Sequence, residues 1–180
     1  MGGRFIAVVG PSGVGKDSVM AGLCDARPDL VRVRRVITRT PDAGGEDYEA
    51  VSPALFAARA AGGDFALHWQ AHGLSYAIPR STHDILDRGQ DALANLSRAM
   101  LSRAAQVFGT LTVLHVTATP DVLAQRLAVR GREGRAEIAR RLARPAPDFP
   151  QDLPMVEIDN SGQLDRAVGA ALAALYPENR

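Results

Sequence analysis

The chain has 180 residues, 46% of them apolar and 23% charged, values that fit one globular enzyme core and argue against a disordered or membrane-embedded chain. Lysine and arginine total 21 against 20 acidic residues, so no overall field recruits nucleic acid or an anionic bilayer. The single cysteine, Cys24, cannot form an internal disulfide, and no charged-then-apolar leader or apolar run of about 18 residues occurs; the expected location is the cytoplasm.

In chain order, the apolar run Phe5, Ile6, Ala7, Val8, Val9 predicts a strand. Asp17 to Arg27 has helical spacing at Val19, Met20, Leu23 and Cys24 and stops before Pro28. Val31 to Ile37 alternates Val with Arg and reads as one strand with a charged face. Ser52 and Pro53 supply an N-cap and first-turn proline for an Ala-rich helix ending at Gly62-Gly63. Phe65 to Gln70 reads as a strand, Ser81 to Arg88 as a helix stopped by Gly89, Ala92 to Leu96 as a strand, and Ser97 to Phe108 as a helix. Leu111 to Val116 reads as a buried strand. Helices are predicted at Pro120 to Arg130, begun by Thr119, and at Arg135 to Leu142. The Pro-rich stretch Pro145 to Pro154 reads as a loop, Met155 to Ile158 as the last strand, and Leu164 to Tyr176 as a final helix. This alternation predicts a three-layer α/β fold, a parallel sheet with helices on both faces, in one domain without repeats.

The turn between the first strand and first helix is GPSGVGKDS: Gly10, Pro11, Ser12, Gly13, Val14, Gly15, Lys16, Asp17, Ser18. It reads as a phosphate-binding loop in its required context. Gly10, Gly13 and Gly15 permit the sharp turn that aims backbone N–H groups at phosphate oxygens, and the helix start adds its positive dipole end. Lys16 supplies the cation for the β- and γ-phosphates. The usual pattern places after the lysine a hydroxyl that ligates Mg²⁺; here that position is Asp17, and the hydroxyl is displaced to Ser18. Asp17 reads either as a carboxylate toward Mg²⁺, with Ser18 sharing the duty, or as an acidic residue stabilising the helix start.

Three further segments bear on phosphate chemistry, which demands dense, fixed positive charge. In RRVITRTPDAGGEDY, Arg34 to Tyr48, the side chains of Arg35, Arg39 and Tyr48 can address one anion, the alternative being a solvated edge strand. RLAVRGRE, Arg126 to Glu133, continues through Arg135 to Arg140 and Arg141, a helix, a Gly-broken turn and a second helix. That is the form of a mobile lid, or of a charged surface helix pair. Asp159-Asn160-Ser161-Gly162 follows the last strand at the carboxyl edge, where open α/β sheets bind ligands.

The series GPSGxGK, TRTP, GEDY, a YxxP-like site at Tyr76 to Pro79, RLxxRG and a last strand ending in Asn resembles the guanylate kinase superfamily of P-loop kinases over nearly the whole chain. Within it, GKDS, VTATPDVLAQRLAVRGRE, the stretch HWQAHGLSYAIP from His68 to Pro79, and EIDNSG from Glu157 to Gly162 are similar to the ribose 1,5-bisphosphate phosphokinases of phosphonate breakdown. The resemblance implies a single kinase domain. Its core would be residues 1–33 and 90–180, with an acceptor-binding insertion at about 34–89 and a lid at about 130–144. It further implies ATP with Mg²⁺ on the loop, Arg35, Arg39 and Tyr48 as the clamp on an acceptor phosphate, and Arg130, Arg132 and Arg141 on the transferring phosphate. Asn160 would lie near adenine.

Where guanylate kinase reads guanine with a glutamate and a threonine, the resemblance sets His68 and Ile78 of this chain, and isoleucine cannot hydrogen-bond a base. His68 reads as a group for a sugar hydroxyl or phosphate, or as a packed side chain beside Trp69; His72 is a weaker candidate. The expected acceptor pocket comprises His68, Tyr76, Ile78, Asn95 and Ser97. The expected partner is a small sugar phosphate, with no nucleic acid and no membrane, and a homodimer is left open. Two other functions stay open: a nucleoside monophosphate kinase such as guanylate kinase, separable only at the acceptor pocket, and a guanylate-kinase-like binding module without catalysis. The latter would be expected to have lost the loop glycines or Lys16.

Overall fold

The computed structural model describes residues 2–40, 46–129 and 148–177. Its centre is β1 (Phe5–Val9), five residues each 0–1% exposed, as its unbroken apolar run requires of a strand covered on both faces. Around it lies a five-stranded parallel sheet, ordered β2-β7-β1-β8-β9 once the strands are numbered along the chain: β2 (Val31–Arg32), β7 (Ala92–Asn95), β8 (Leu111–Thr117) and β9 (Met155–Asp159). One face packs on α1 (Lys16–Ala26), α5 (Pro120–Val129) and α6 (Leu164–Leu175) through Val19, Met20, Leu23, Leu123, Ala167 and Ala171. The other packs on α3 (Thr82–Asp87) and α4 (Leu101–Phe108) through Leu86, Leu101, Ala104 and Phe108, with Phe5 stacked on Phe108 at 4.1 Å. The expected α/β architecture is present.

A second sheet draws all its strands from residues 35–79. It has the order β4-β3-β6-β5, with β3 (Arg35–Ile37), β4 (Tyr48–Ala50), β5 (Phe65–Ala71) and β6 (Leu74–Pro79). Helix α2 (Pro53–Ala61) covers one face; the Ser52 hydroxyl accepts a hydrogen bond from Leu55 N at 3.1 Å, the predicted cap. Val31 to Ile37 forms two strands in different sheets, not the single strand predicted. The chain leaves the first sheet after Arg32 and enters the second at Arg35, so its arginines separate into two environments. The helix predicted from Ser97 begins with a 3₁₀ turn at Arg98–Met100 before α4. The helix predicted at Arg135 to Leu142 lies outside the described residues. Among those described, no helix is long and apolar enough to cross a membrane.

At the amino edge of the large sheet, one carboxylate ties the first strand to the last helix. Asp91 accepts from Arg4 N (2.7 Å), Arg4 Nε (3.1 Å), Arg4 Nη2 (2.9 Å) and the Tyr176 hydroxyl (2.9 Å), while the Arg27 guanidinium lies 3.7 Å from the Tyr176 ring centroid. Burial alone would raise the Asp91 carboxyl, but these donors outweigh it and hold it below the ordinary carboxylate range. Burial, then the bond to Asp91, pushes the Tyr176 hydroxyl up to about 12. A depressed carboxyl stabilises the fold above its unfolded value, and that contribution disappears as pH falls through its folded value. Asp91→Asn should therefore lose about 2–3 kcal/mol at pH 7, and Tyr176→Phe about 1 kcal/mol. Urea unfolding should show the Asp91→Asn deficit shrinking below about pH 4; an equal deficit at pH 7 and pH 3.5 would contradict the assignment.

Candidate active site

The phosphate-binding loop lies at the carboxyl end of β1, and at Gly10 and Gly15 it leaves no room for a side chain. A Cβ on Gly10 would sit 2.3 Å from the Val116 carbonyl oxygen. Gly15 has φ 92°, and a Cβ there would sit 2.6 Å from Asn160 Nδ2. The loop's carbonyls are bound from within the protein. Val14 O accepts from Asn160 Nδ2 (2.8 Å) and Arg126 Nη1 (3.1 Å), while Arg126 Nη2 donates to Asn160 O (2.8 Å). Lys16 Nζ donates to Gly10 O (2.9 Å) and Pro11 O (3.1 Å), arching over the loop. Asn160, expected near adenine, is 3% exposed, with its amide nitrogen committed to Val14 and its Oδ1 buried. Its side chain braces the loop and is not displayed to a base. Arg126, read only as the start of a lid segment, belongs to the same brace.

Asp17 follows Lys16 on the first turn of α1, with its side chain one-third exposed. Its Oδ1 accepts from Arg32 Nη2 (2.9 Å) and Asn95 Nδ2 (3.1 Å). Burial, then the charge of Glu46, pushes the Asp17 carboxyl up against the pull of Arg32, Lys16 and Arg35. Asp17 thus lies within electrostatic reach of Glu46 and Arg35 at the second sheet. Ser18 is exposed.

One face of the second sheet is built by strand register. Trp69 pairs with Tyr76, and Tyr76 with Ile37; the two aromatic rings stack at 5.5 Å and 12°. The Arg35 guanidinium lies 5.2 Å from the Tyr76 centroid and is held by both oxygens of Glu46, each side chain 12% exposed. Arg39 lies 5.7 Å from the Tyr48 ring and makes no hydrogen bond among the described residues. The Tyr48 hydroxyl, expected to face an anion, donates instead to Thr40 O at 2.5 Å.

His68 and Ile78 are not brought together. A bulge lies between Phe65, paired with Pro79, and Leu67, paired with Ile78. An unbroken register would set His68 opposite Tyr76. The extra residue sets it opposite Ala77, on the face covered by α2, where its exposed ring lies 6.4 Å from Phe56. Ile78 is fully buried beside Leu67 in the main core. Asn95 is 5% exposed and faces Asp17; Ser97 is half-buried, and its backbone carbonyl accepts from Met100 N at 2.9 Å in the following turn. Arg130, Arg132 and Arg141 lie outside the described residues.

A cluster that the sequence reading did not single out stands nearby on the carboxyl edge. His115 pairs in register with Val9. Arg98 Nη2 lies 3.3 Å from His115 Nε2, and Glu157 Oε2 lies 2.9 Å from Nδ1. A guanidinium can only donate, so Nε2 accepts and Nδ1 carries the proton toward Glu157. Burial, with help from Arg98 and against Glu157, lowers the His115 pKa. Phe149 covers the group, 4.7 Å from the His115 ring and 4.0 Å from the Arg98 guanidinium.

No protein-family model matches the chain. It is 54% identical over 177 residues to the ribose 1,5-bisphosphate phosphokinase PhnN of Ruegeria sp. (strain TM1040), covering 98% of this chain and 93% of that one. It is 47% identical to the ribose 1,5-bisphosphate phosphokinase PhnN of Pseudomonas fluorescens (strain SBW25), covering 97% and 96%. Among solved structures it shares the fold of the guanylate kinase of Anaplasma phagocytophilum, with TM-score 0.70 and 18% identity over 98% of this chain and 88% of that one. At 54% identity to such a relative over 98% of its length, and with the phosphate loop braced as described, this chain belongs to the ribose 1,5-bisphosphate phosphokinase family.

Proposed function

We propose that this chain transfers the γ-phosphoryl group of ATP to ribose 1,5-bisphosphate, giving 5-phosphoribosyl 1-diphosphate and ADP, as a cytoplasmic step of phosphonate breakdown. The observation that carries the reading is the acceptor wall. It presents guanidinium groups and a Trp69-Tyr76 stack, while Ile78 is 0% exposed in the main core and His68 lies on the face covered by α2, so neither of the two positions matched to guanine readers offers this wall a hydrogen bond for a purine edge. A guanylate kinase reading therefore loses its support at the one place that separates the two activities.

An oxygen of the acceptor's 1-phosphate attacks the γ-phosphorus. A new P–O bond forms there as the bond to the β–γ bridging oxygen breaks, and the electron pair leaves with ADP. The attacking oxygen is already anionic, so alignment and charge neutralisation replace a strong base. Lys16, arched over the loop by its bonds to Gly10 O and Pro11 O, is placed to exchange those carbonyls for β- and γ-phosphate oxygens. Arg39 clamps an acceptor phosphate, and Arg35, held rigid by Glu46, supplies fixed charge beside it. Arg130, Arg132 and Arg141 are assigned to the transferring group by family resemblance.

The loop suits a magnesium ion. Asp17 Oδ2 is an anionic oxygen in the first turn of α1, on a side chain one-third exposed, with no hydrogen bond among the described residues. Asp17 is therefore the residue assigned to Mg²⁺, with exposed Ser18 in reserve; the bound ion would offset charge on the β- and γ-phosphates.

In an ADP-release assay, ribose 1,5-bisphosphate should be used well and GMP, AMP and dTMP poorly, and Lys16→Ala should lower turnover by about 10²–10³-fold with the fold intact. GMP turnover without sugar bisphosphate turnover would overturn the reading. The two clamp arginines should behave differently. Arg39→Met should weaken acceptor use by about 1.5–3 kcal/mol, with ATP use unchanged. Arg35→Met should also cost stability, because it strands the Glu46 carboxylate; steady-state kinetics beside thermal unfolding separates the two.

A further inference from the structure

The fork formed by Arg32 and Asn95 has no part in the phosphoryl transfer described above. Both groups converge on one oxygen of Asp17, Oδ1, at 2.9 Å and 3.1 Å, and leave Oδ2 without a hydrogen bond among the described residues. Their convergence is imposed by one strand. Arg32 pairs with Leu93 on β7, locked by Val31 N donating to Asp91 O and Val33 N to Leu93 O, both at 2.9 Å. Asn95 ends that same strand, in register with Val8 of β1. Asn95 is 5% exposed, and among the described residues its own Oδ1 has no partner and its amide donates to Asp17.

We infer that Arg32, seconded by Asn95, is a positioning residue that holds Asp17 Oδ1 so that the carboxylate offers a divalent cation one oxygen, Oδ2. The inference rests on the proposed metal role of Asp17. A carboxylate with one oxygen already taken by two donors cannot close on a cation with both. Mg²⁺ loses little by this, since it keeps several waters and is ordinarily held by single carboxylate oxygens; Ca²⁺, which accepts both oxygens at longer distance, loses more. The pair therefore acts on metal choice as well as on metal affinity, in the way outer-shell partners orient ligands elsewhere.

The test uses the full chain with a non-hydrolysable ATP analogue and no acceptor, so that nothing depends on the sugar substrate. Mn²⁺ binding is read by electron paramagnetic resonance, with Ca²⁺ competing. Arg32→Met should weaken Mn²⁺ binding by about 10–100-fold and make Ca²⁺ a relatively better competitor, and Arg32→Lys should lose less, because it keeps one charged donor. In an Asp17→Asn background, Arg32→Met should change Mn²⁺ binding little further. If Arg32→Met misfolds, Arg32→Lys carries the comparison. Unchanged Mn²⁺ binding in the Arg32 variants, or an equal loss with and without Asp17, overturns this inference and leaves the metal role of Asp17 standing. Unchanged binding in Asp17→Asn alone overturns both.

Discussion

The Val14 carbonyl is the point on which the site depends. A loop that turns its N–H groups toward a phosphate turns carbonyls outward, and each outward carbonyl needs a donor. At Val14 two donors arrive from distant parts of the chain, Asn160 after the last strand and Arg126 on α5, and they are themselves linked through Asn160 O. The glycines give the loop its freedom to bend; this brace removes that freedom afterwards. Gly15 shows both demands at one residue, since its positive φ and the Asn160 amide pressed against it each exclude a side chain. A pre-formed anion cradle is what phosphoryl transfer needs, because little of the barrier can be lowered by covalent chemistry from the protein.

The second constraint is the break after Arg32. Four arginines lie within eight residues, and the change of sheet sends each to a different task. Arg32 goes to Asp17 at the loop, and Arg34 outward to Asp47 at 2.9 Å. Arg35 goes to Glu46 beneath the aromatic stack, and Arg39 to the Tyr48 ring. Splitting the strand puts positive charge both at the loop and on the second sheet. Of the carboxylates that balance it, Glu46 lies close enough for its charge to push the Asp17 carboxyl up.

The phosphate loop was legible in the sequence because its requirements are local: glycines where backbones turn, a lysine in phase, a strand before and a helix after. The parallel sheet was legible from unbroken apolar runs such as Phe5 to Val9. The braces were not, because Arg32 and Arg126 lie in ordinary polar alternation, and their partners are 15 and 112 residues away along the chain. Val31 to Ile37 contains no Gly or Pro to mark its break, so two short strands read as one. β6 escaped because Tyr76, Ala77 and Ile78 are all buried, leaving no period of two to detect. His68 was misplaced for a sharper reason. One bulge residue in β5 reverses the facing of everything after it, and composition carries no trace of a one-residue shift.

The central claim, that the acceptor is the 1-phosphate of a ribose bisphosphate, is tested most directly by ³¹P NMR of the reaction with ATP, Mg²⁺ and ribose 1,5-bisphosphate. The account predicts that the 1-phosphate monoester signal is replaced by a coupled pair of diphosphate signals in step with ADP formation, while the 5-phosphate signal is unchanged. ADP formed with inorganic phosphate and an unaltered 1-phosphate, or a diphosphate built at the 5-position, would contradict it.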